Sequence, residues 1–159
     1  CIRDWLAYSE SGAIERARDS AQTLVKDYRA TPYGDLAYLM IAKLATERGE
    51  LSKAMEALPN VMTKSKDPAM RQIARLRLSQ VNLFAGDLVR AHELAASNDV
   101  GGFESEYPEI LGDVLSAQHK YSDAAEAYAR ALQALAPASS SRALLTIKRN
   151  YAGSVGKNQ

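Results

Sequence analysis

The sequence predicts an all-α chain, a short solenoid of about three to four helical hairpins with a C-terminal capping helix. A short phrase recurs along it, reading Gly12-Ala13-Ile14-Glu15-Arg16-Ala17, Gly49-Glu50-Leu51-Ser52-Lys53-Ala54 and Gly86-Asp87-Leu88-Val89-Arg90-Ala91, while a fourth copy, His119-Lys120-Tyr121-Ser122-Asp123-Ala124, lacks the glycine. The alanines fall at 17, 54, 91 and 124, giving steps of 37, 37 and 33 residues. Self-similarity at a period of about 34 residues marks a stack of two-helix repeats. Composition agrees: the chain is 47% hydrophobic and only 7% aromatic, so Ala and Leu carry an apolar content suited to closely packed helices.

The elements follow in order. Gly12 to Tyr28 is expected as a helix whose hairpin partner is the short Asp4–Ser9 stretch, leaving the first unit, 4–30, irregular. In the unit 33–64, Tyr33 to Arg48 carries Leu36, Ala37, Leu39, Met40, Ile41, Leu44 and Ala45, too many for one stripe and suited to a helix covered on two sides. Gly49 supplies the left-handed turn that ends it. Leu51 to about Met62 returns, with Leu51, Ala54, Met55, Leu58 and Val61 inward. Pro59 should kink or shorten this helix, since an interior proline costs on the order of 3 kcal/mol.

The unit 67–98 opens on Asp67-Pro68, a cap followed by a first-turn proline. Ile73, Leu76, Leu78, Val81, Leu83 and Phe84 line its first helix; Leu88, Ala91, Leu94 and Ala95 begin a short second one, and Ser97 to Gly102 reads as a loop. The unit 104–136 places Tyr107, Ile110, Leu111, Gly112, Val114 and Leu115 on one helix, then Tyr121, Ala124, Ala125, Tyr128, Ala131 and Leu132 on the next. Pro137 and the serines at 139–141 end it. A capping helix over 140–152 carries Ala143, Leu144, Ile147 and Tyr151 at helical spacing.

Charge and motifs exclude more than they assign. Net charge is +1, which gives no global pull toward nucleic acid or anionic lipid. No apolar run approaches the roughly 18–20 residues that span a bilayer, and no signal peptide opens the chain. Cys1 is the single cysteine, so an internal disulfide and a thiolate metal cluster are both excluded. Its position would suit the acylated residue of a lipoprotein, a cut chain, or the end of a lost membrane anchor. His92 and His119 lie in different units beside ordinary polar residues, and no triad, glycine-rich phosphate loop or His-Glu-x-x-His pattern accompanies them. Neither an enzyme, nor a cofactor, nor a metal site is expected.

Leu111-Gly112, Tyr121, Ala124, Tyr128 and Ala131, with Tyr38, Ile41-Ala42, Gly49, Leu51 and Ala54 in the middle unit, fall where the tetratricopeptide signature puts large and small residues. The chain resembles that family, which implies a single tetratricopeptide-like solenoid domain over 1–159. A narrower likeness rests on Thr31-Pro32-Tyr33-Gly34-Asp35-Leu36-Ala37 leading into Leu39 to Gly49, on Arg75 to Val81, and on the acidic-aromatic approach to Leu111-Gly112-Asp113. These runs resemble the YfgM family, single-pass inner-membrane proteins of Gram-negative bacteria with a periplasmic tetratricopeptide-like domain. The resemblance implies an ancillary role beside the Sec translocon, with translocon subunits, periplasmic chaperones or secreted chains as partners. It also implies that this is the soluble, periplasm-facing portion, the membrane anchor being absent from the chain.

In such arrays the inner side is built from the first helices of successive hairpins. The expected protein-binding groove comprises Leu36, Leu39, Lys43 and Thr46, then Ile73, Leu76, Gln80 and Leu83, then Glu106, Glu109 and Asp113. The first two sets are mainly apolar, whereas the three carboxylates sit at i, i+3 and i+7 and share a helix face. That combination would grip an apolar segment and steer a basic flank. The alternative covers Leu39, Ile73, Leu76 and Leu83 with the chain's own last helix, because Leu144, Ile147 and Tyr151 need a surface, and leaves the carboxylates solvated. A Lys/Asn clamp for a terminal carboxylate is not assembled, since Lys43 stands alone and Asn82 has no basic neighbours on the next turn. Arg71, Arg75 and Arg77, and the tail cations Arg142, Lys148, Arg149 and Lys157, read as solvated faces before they read as lipid or RNA contacts, because base stacking needs more aromatics than Tyr151.

The expected function is therefore a noncatalytic protein–protein interaction module. The main alternative is an outer-membrane lipoprotein scaffold for membrane-protein assembly, with Cys1 as its acyl site; an enzyme accessory or hydrolase is the other class. Two antiparallel helices about 8–10 Å apart leave room for only a methyl where they cross. Ala91→Leu and Ala124→Leu should each cost about 1–3 kcal/mol, read as lowered urea midpoints; unchanged midpoints in both would disprove the repeat register.

Overall fold

The structure is a computed structural model that describes residues 2–28 and 31–157; Cys1, and with it the acyl-site expectation, lies outside them. Among the described residues eight α-helices and no strand form: α1 (Ile2–Tyr28), α2 (Pro32–Glu47), α3 (Leu51–Lys64), α4 (Pro68–Ala85), α5 (Leu88–Ala95), α6 (Glu106–Ala117), α7 (Tyr121–Ala134) and α8 (Arg142–Gly156). The expected all-α fold holds. The chain divides into two compact units, one ending at Ala74 and the other beginning at Arg75, so the boundary falls inside α4. In the first, α1 packs on α2 and α2 on α3; in the second, α5 packs on α6, α6 on α7 and α7 on α8.

Three helix ends explain the recurrent phrase. Gly49 has φ 73°, Gly86 has φ 83°, and His119, where the glycine is missing, takes the same left-handed conformation at φ 62°. The hydrogen bonds repeat as well. The amide after each of these residues donates five positions back, Glu50 to Ala45 at 2.8 Å, Asp87 to Asn82 at 3.0 Å and Lys120 to Leu115 at 2.9 Å. This is the Schellman closure, which satisfies carbonyls that a helix end leaves bare. The alanines that follow, Ala54, Ala91 and Ala124, are each 0% exposed.

The first copy of the phrase behaves differently. Gly12 lies inside α1, which runs unbroken from Ile2 to Tyr28, and Ala17 is exposed. The expected break between Asp4–Ser9 and a second helix is therefore corrected. With no proline and no left-handed residue there, one interior glycine costs only about 1 kcal/mol of helix propensity and does not stop the helix. Pro59 does not shorten α3 either: the helix passes through it to Lys64, and the Thr63 hydroxyl bonds the Pro59 carbonyl at 2.7 Å.

Close packing is reinforced by buried hydroxyls. Ser79 of α4 is fully buried and donates to the Ala91 carbonyl of α5 at 2.8 Å. The small side chain at Ala91 lets the two backbones come this near. Ser105, at the start of α6, donates likewise to Ala131 of α7 at 3.1 Å. Gly112 serves the same purpose, because a Cβ placed there would stand 2.5 Å from the Tyr128 ring.

Nothing crowds Gly86, where an added Cβ meets no atom within 4 Å, so its requirement is set by the backbone alone. Gly86→Ala should lower the unfolding free energy by about 1–2 kcal/mol, whereas His119→Gly, which relieves the same strain but gives up an exposed contact with the Tyr121 hydroxyl, should cost clearly less. Urea denaturation of both variants checks this, and a comparable loss at the two positions would contradict it.

Candidate functional site

The expected groove residues fall in both units and take different environments. In the first unit, Leu39 is 5% exposed and belongs to the core, so it offers no binding surface. Ile73 is half-buried. The exposed face of α2 is instead formed by Tyr33, Leu36 and Met40, with exposed Lys43 one turn on, 3.8 Å from Glu47. Positions 33, 36, 40 and 43 follow one helix face. Thr46 turns its hydroxyl back onto the Ala42 carbonyl at 2.8 Å. The expected groove contains Leu36 and Lys43 but not Tyr33 or Met40, because periodicity cannot say which of two apolar stripes a neighbour covers.

In the second unit, Leu76 and Leu83 are half-buried, and Gln80 and Glu106 are exposed. Glu109 and Asp113 are half-buried and ion-paired. The Lys148 ammonium of α8 reaches across to both, at 3.0 Å from Glu109 Oε1 and 2.9 Å from Asp113 Oδ1. The Tyr128 hydroxyl of α7 donates to Asp113 Oδ1 at 2.8 Å, Ser116 stands 3.3 Å from that hydroxyl, and the Lys148 ammonium lies 5.8 Å from the Tyr128 ring centre. Three helices thus converge on one ionic cluster.

The inward face of α8 is not the expected one. Leu144, Ile147 and Tyr151 are 57%, 65% and 62% exposed, while Leu145 and Ala152 are buried in the core with Leu115, Ala124 and Tyr128. The buried line is Leu145, Lys148, Ala152, again i, i+3 and i+7, and its middle member is a lysine. A search for apolar spacing passes over it. Leu144 and Ile147 stay exposed, and Tyr151 sets its ring edge-on to Tyr121 at 6.4 Å.

Three of the remaining cations serve the fold. Arg71 bonds the Ser65 carbonyl at 2.8 Å, Arg75 bonds the Ser97 hydroxyl at 2.8 Å, and Arg142 closes the end of α7 through the Leu132 and Leu135 carbonyls at 3.2 and 2.6 Å. Asn82 is buried with its amide on the Leu78 carbonyl at 2.7 Å, unsuited to hold a terminal carboxylate. Among the described residues no group of three or more His, Cys, Asp or Glu side chains comes together as a metal site. None of the described helices is long and apolar enough to cross a membrane.

Burial disfavours the Lys148 ammonium, but the hydrogen bonds and charges of Asp113 and Glu109 outweigh it, so the lysine holds its proton above its ordinary 10.5. Burial, opposed by Ser116 and aided by Asp113, pushes the Tyr128 phenol well above its ordinary 10. Both groups bind protons more tightly folded than unfolded. Their stabilisation is complete below the unfolded values and is lost as pH rises through the folded ones. The urea midpoint should therefore hold up to about pH 10 and fall as pH rises beyond it, less steeply in Tyr128→Phe; equal slopes would contradict the cluster's role. Lys148→Met, which leaves two half-buried carboxylates facing each other, should cost about 1–2 kcal/mol near neutral pH, between an exposed and a fully buried pair.

Comparison with known proteins agrees with this architecture. A curated relative from Aggregatibacter actinomycetemcomitans, an "Ancillary SecYEG translocon subunit", is 30% identical over 107 residues, covering 67% of this chain and 52% of the relative. The chain thus spans about half the length of that relative. No solved structure matches it. The tetratricopeptide repeat-like domain matches residues 4–154, from α1 into α8, and the chain belongs to that family.

Proposed function

We propose that this chain is a noncatalytic protein-interaction module, the periplasm-facing part of an inner-membrane protein that works beside the Sec translocon, contacting translocon subunits, periplasmic chaperones or secreted chains. The family supports an interaction role, and the name of the translocon-associated relative supports the partner class. The observation that carries the reading is the exposed row Tyr33, Leu36 and Met40 on α2, closed by Lys43. Exposed apolar side chains aligned on one helix face gain free energy only when something covers them. Each buried side chain would contribute contact area to affinity, and Lys43 would favour a partner carrying a carboxylate at that end. The expected apolar contribution of Leu39 is withdrawn from this surface, and Met40 and Tyr33 take its place.

A photoreactive side chain at Leu36 of the full-length protein, in cells, tests this. Translocon subunits or secreted chains should appear among the adducts, and Tyr33→Glu together with Met40→Glu should reduce them at least about fivefold, as losing a buried apolar contact requires. If the same adducts form from Glu93, which is exposed on α5, or if translocon subunits never appear, the reading is wrong.

A further inference from the structure

We propose that the α6–α8 face is a second docking surface, whose occupant is a polypeptide segment carrying arginine or lysine next to an apolar stretch. This inference rests on the interaction-module reading and specifies the chemistry of one partner. It follows from charge and exposure within the second unit. The α6 face presents Glu106, Glu109 and Asp113 on one line, and among the described residues the cation ion-paired to Glu109 and Asp113 is the Lys148 ammonium. One cation is shared by two half-buried carboxylates, with a third exposed one turn away, so the face keeps a negative excess that a partner's cation would neutralise. On α8, Leu144 lies four positions before Lys148 and Tyr151 three after it, with Ile147 beside it. The exposed apolar line therefore runs directly beside the half-buried line that carries the ammonium.

A segment laid along α8 would cover Leu144, Ile147 and Tyr151 and bring its basic residue to Glu109 and Asp113. Lys148 already makes the contact that the partner's cation would make. It keeps the carboxylates hydrogen-bonded and oriented without a partner, and it competes for them when one arrives. An acidic or purely apolar segment has no such site, because it leaves the excess carboxylate charge uncompensated.

The probes are two fluorescein-labelled peptides with the same leucine–alanine stretch, one preceded by two arginines and its twin by two glutamates, titrated onto the whole chain by anisotropy. The arginine peptide should bind at least about tenfold tighter, and added salt should narrow the gap. Glu109→Gln and Ile147→Glu should each weaken it several-fold, and Lys148→Gln should tighten it. Far-ultraviolet circular dichroism confirms that each variant is folded; should Lys148→Gln unfold, Glu106→Gln and Ile147→Glu at exposed positions decide. Equal binding of the twins, no binding by either, or no loss in these two variants overturns the inference. If it fails while the Leu36 adducts persist, only this surface is lost; if those adducts vanish too, the interaction-module reading goes with it.

Discussion

Helices in this chain pack close enough that only a hydrogen or a methyl fits at their crossings, and the rest of the structure depends on that constraint. Ala54, Ala91 and Ala124 have no exposed surface, and Gly112 lies so near Tyr128 that a methyl would not fit. Close approach also brings side-chain hydroxyls within reach of neighbouring backbones. Ser79 and Ser105 can then bond carbonyls of the next helix, Ala91 and Ala131, without an intervening water. These two buried hydroxyls are satisfied because the helices lie so close.

The same closeness places Tyr128 where it can serve α6. Its ring fills the space Gly112 leaves open, and its hydroxyl fixes Asp113. Asp113, so oriented, shares Lys148 with Glu109. A structural device at a helix crossing thereby becomes an electrostatic one at the surface. The carboxylates that a linear reading would leave in water are held at defined positions by a tyrosine and a lysine from two other helices. Preorganised charge of this kind discriminates between partners more than it adds raw affinity.

Exposure, in turn, separates the surfaces that could bind from those that merely look apolar. α2 and α8 each carry two apolar lines, and in each only one is covered. On α2 the covered line contains Leu39 and the open one Leu36; on α8 the covered line contains Leu145 and the open one Leu144. Adjacent residues along a helix differ by about 100° in direction, so a shift of one position exchanges core for surface.

Sequence alone determined the helical class, the turn positions and the small residues, because these are local. A left-handed residue closes a helix by its own backbone geometry, and the repeat spacing reports it, even where His119 stands for glycine. It did not determine that Gly12 lies within α1, since a lone glycine is compatible with both a turn and a helix interior. Nor could it choose between the two apolar lines of α2 and α8, or see Lys148 as an inward residue. Those choices belong to the tertiary structure. A lysine turns inward when carboxylates on another helix outweigh its desolvation, and that balance exists only once α6, α7 and α8 have come together.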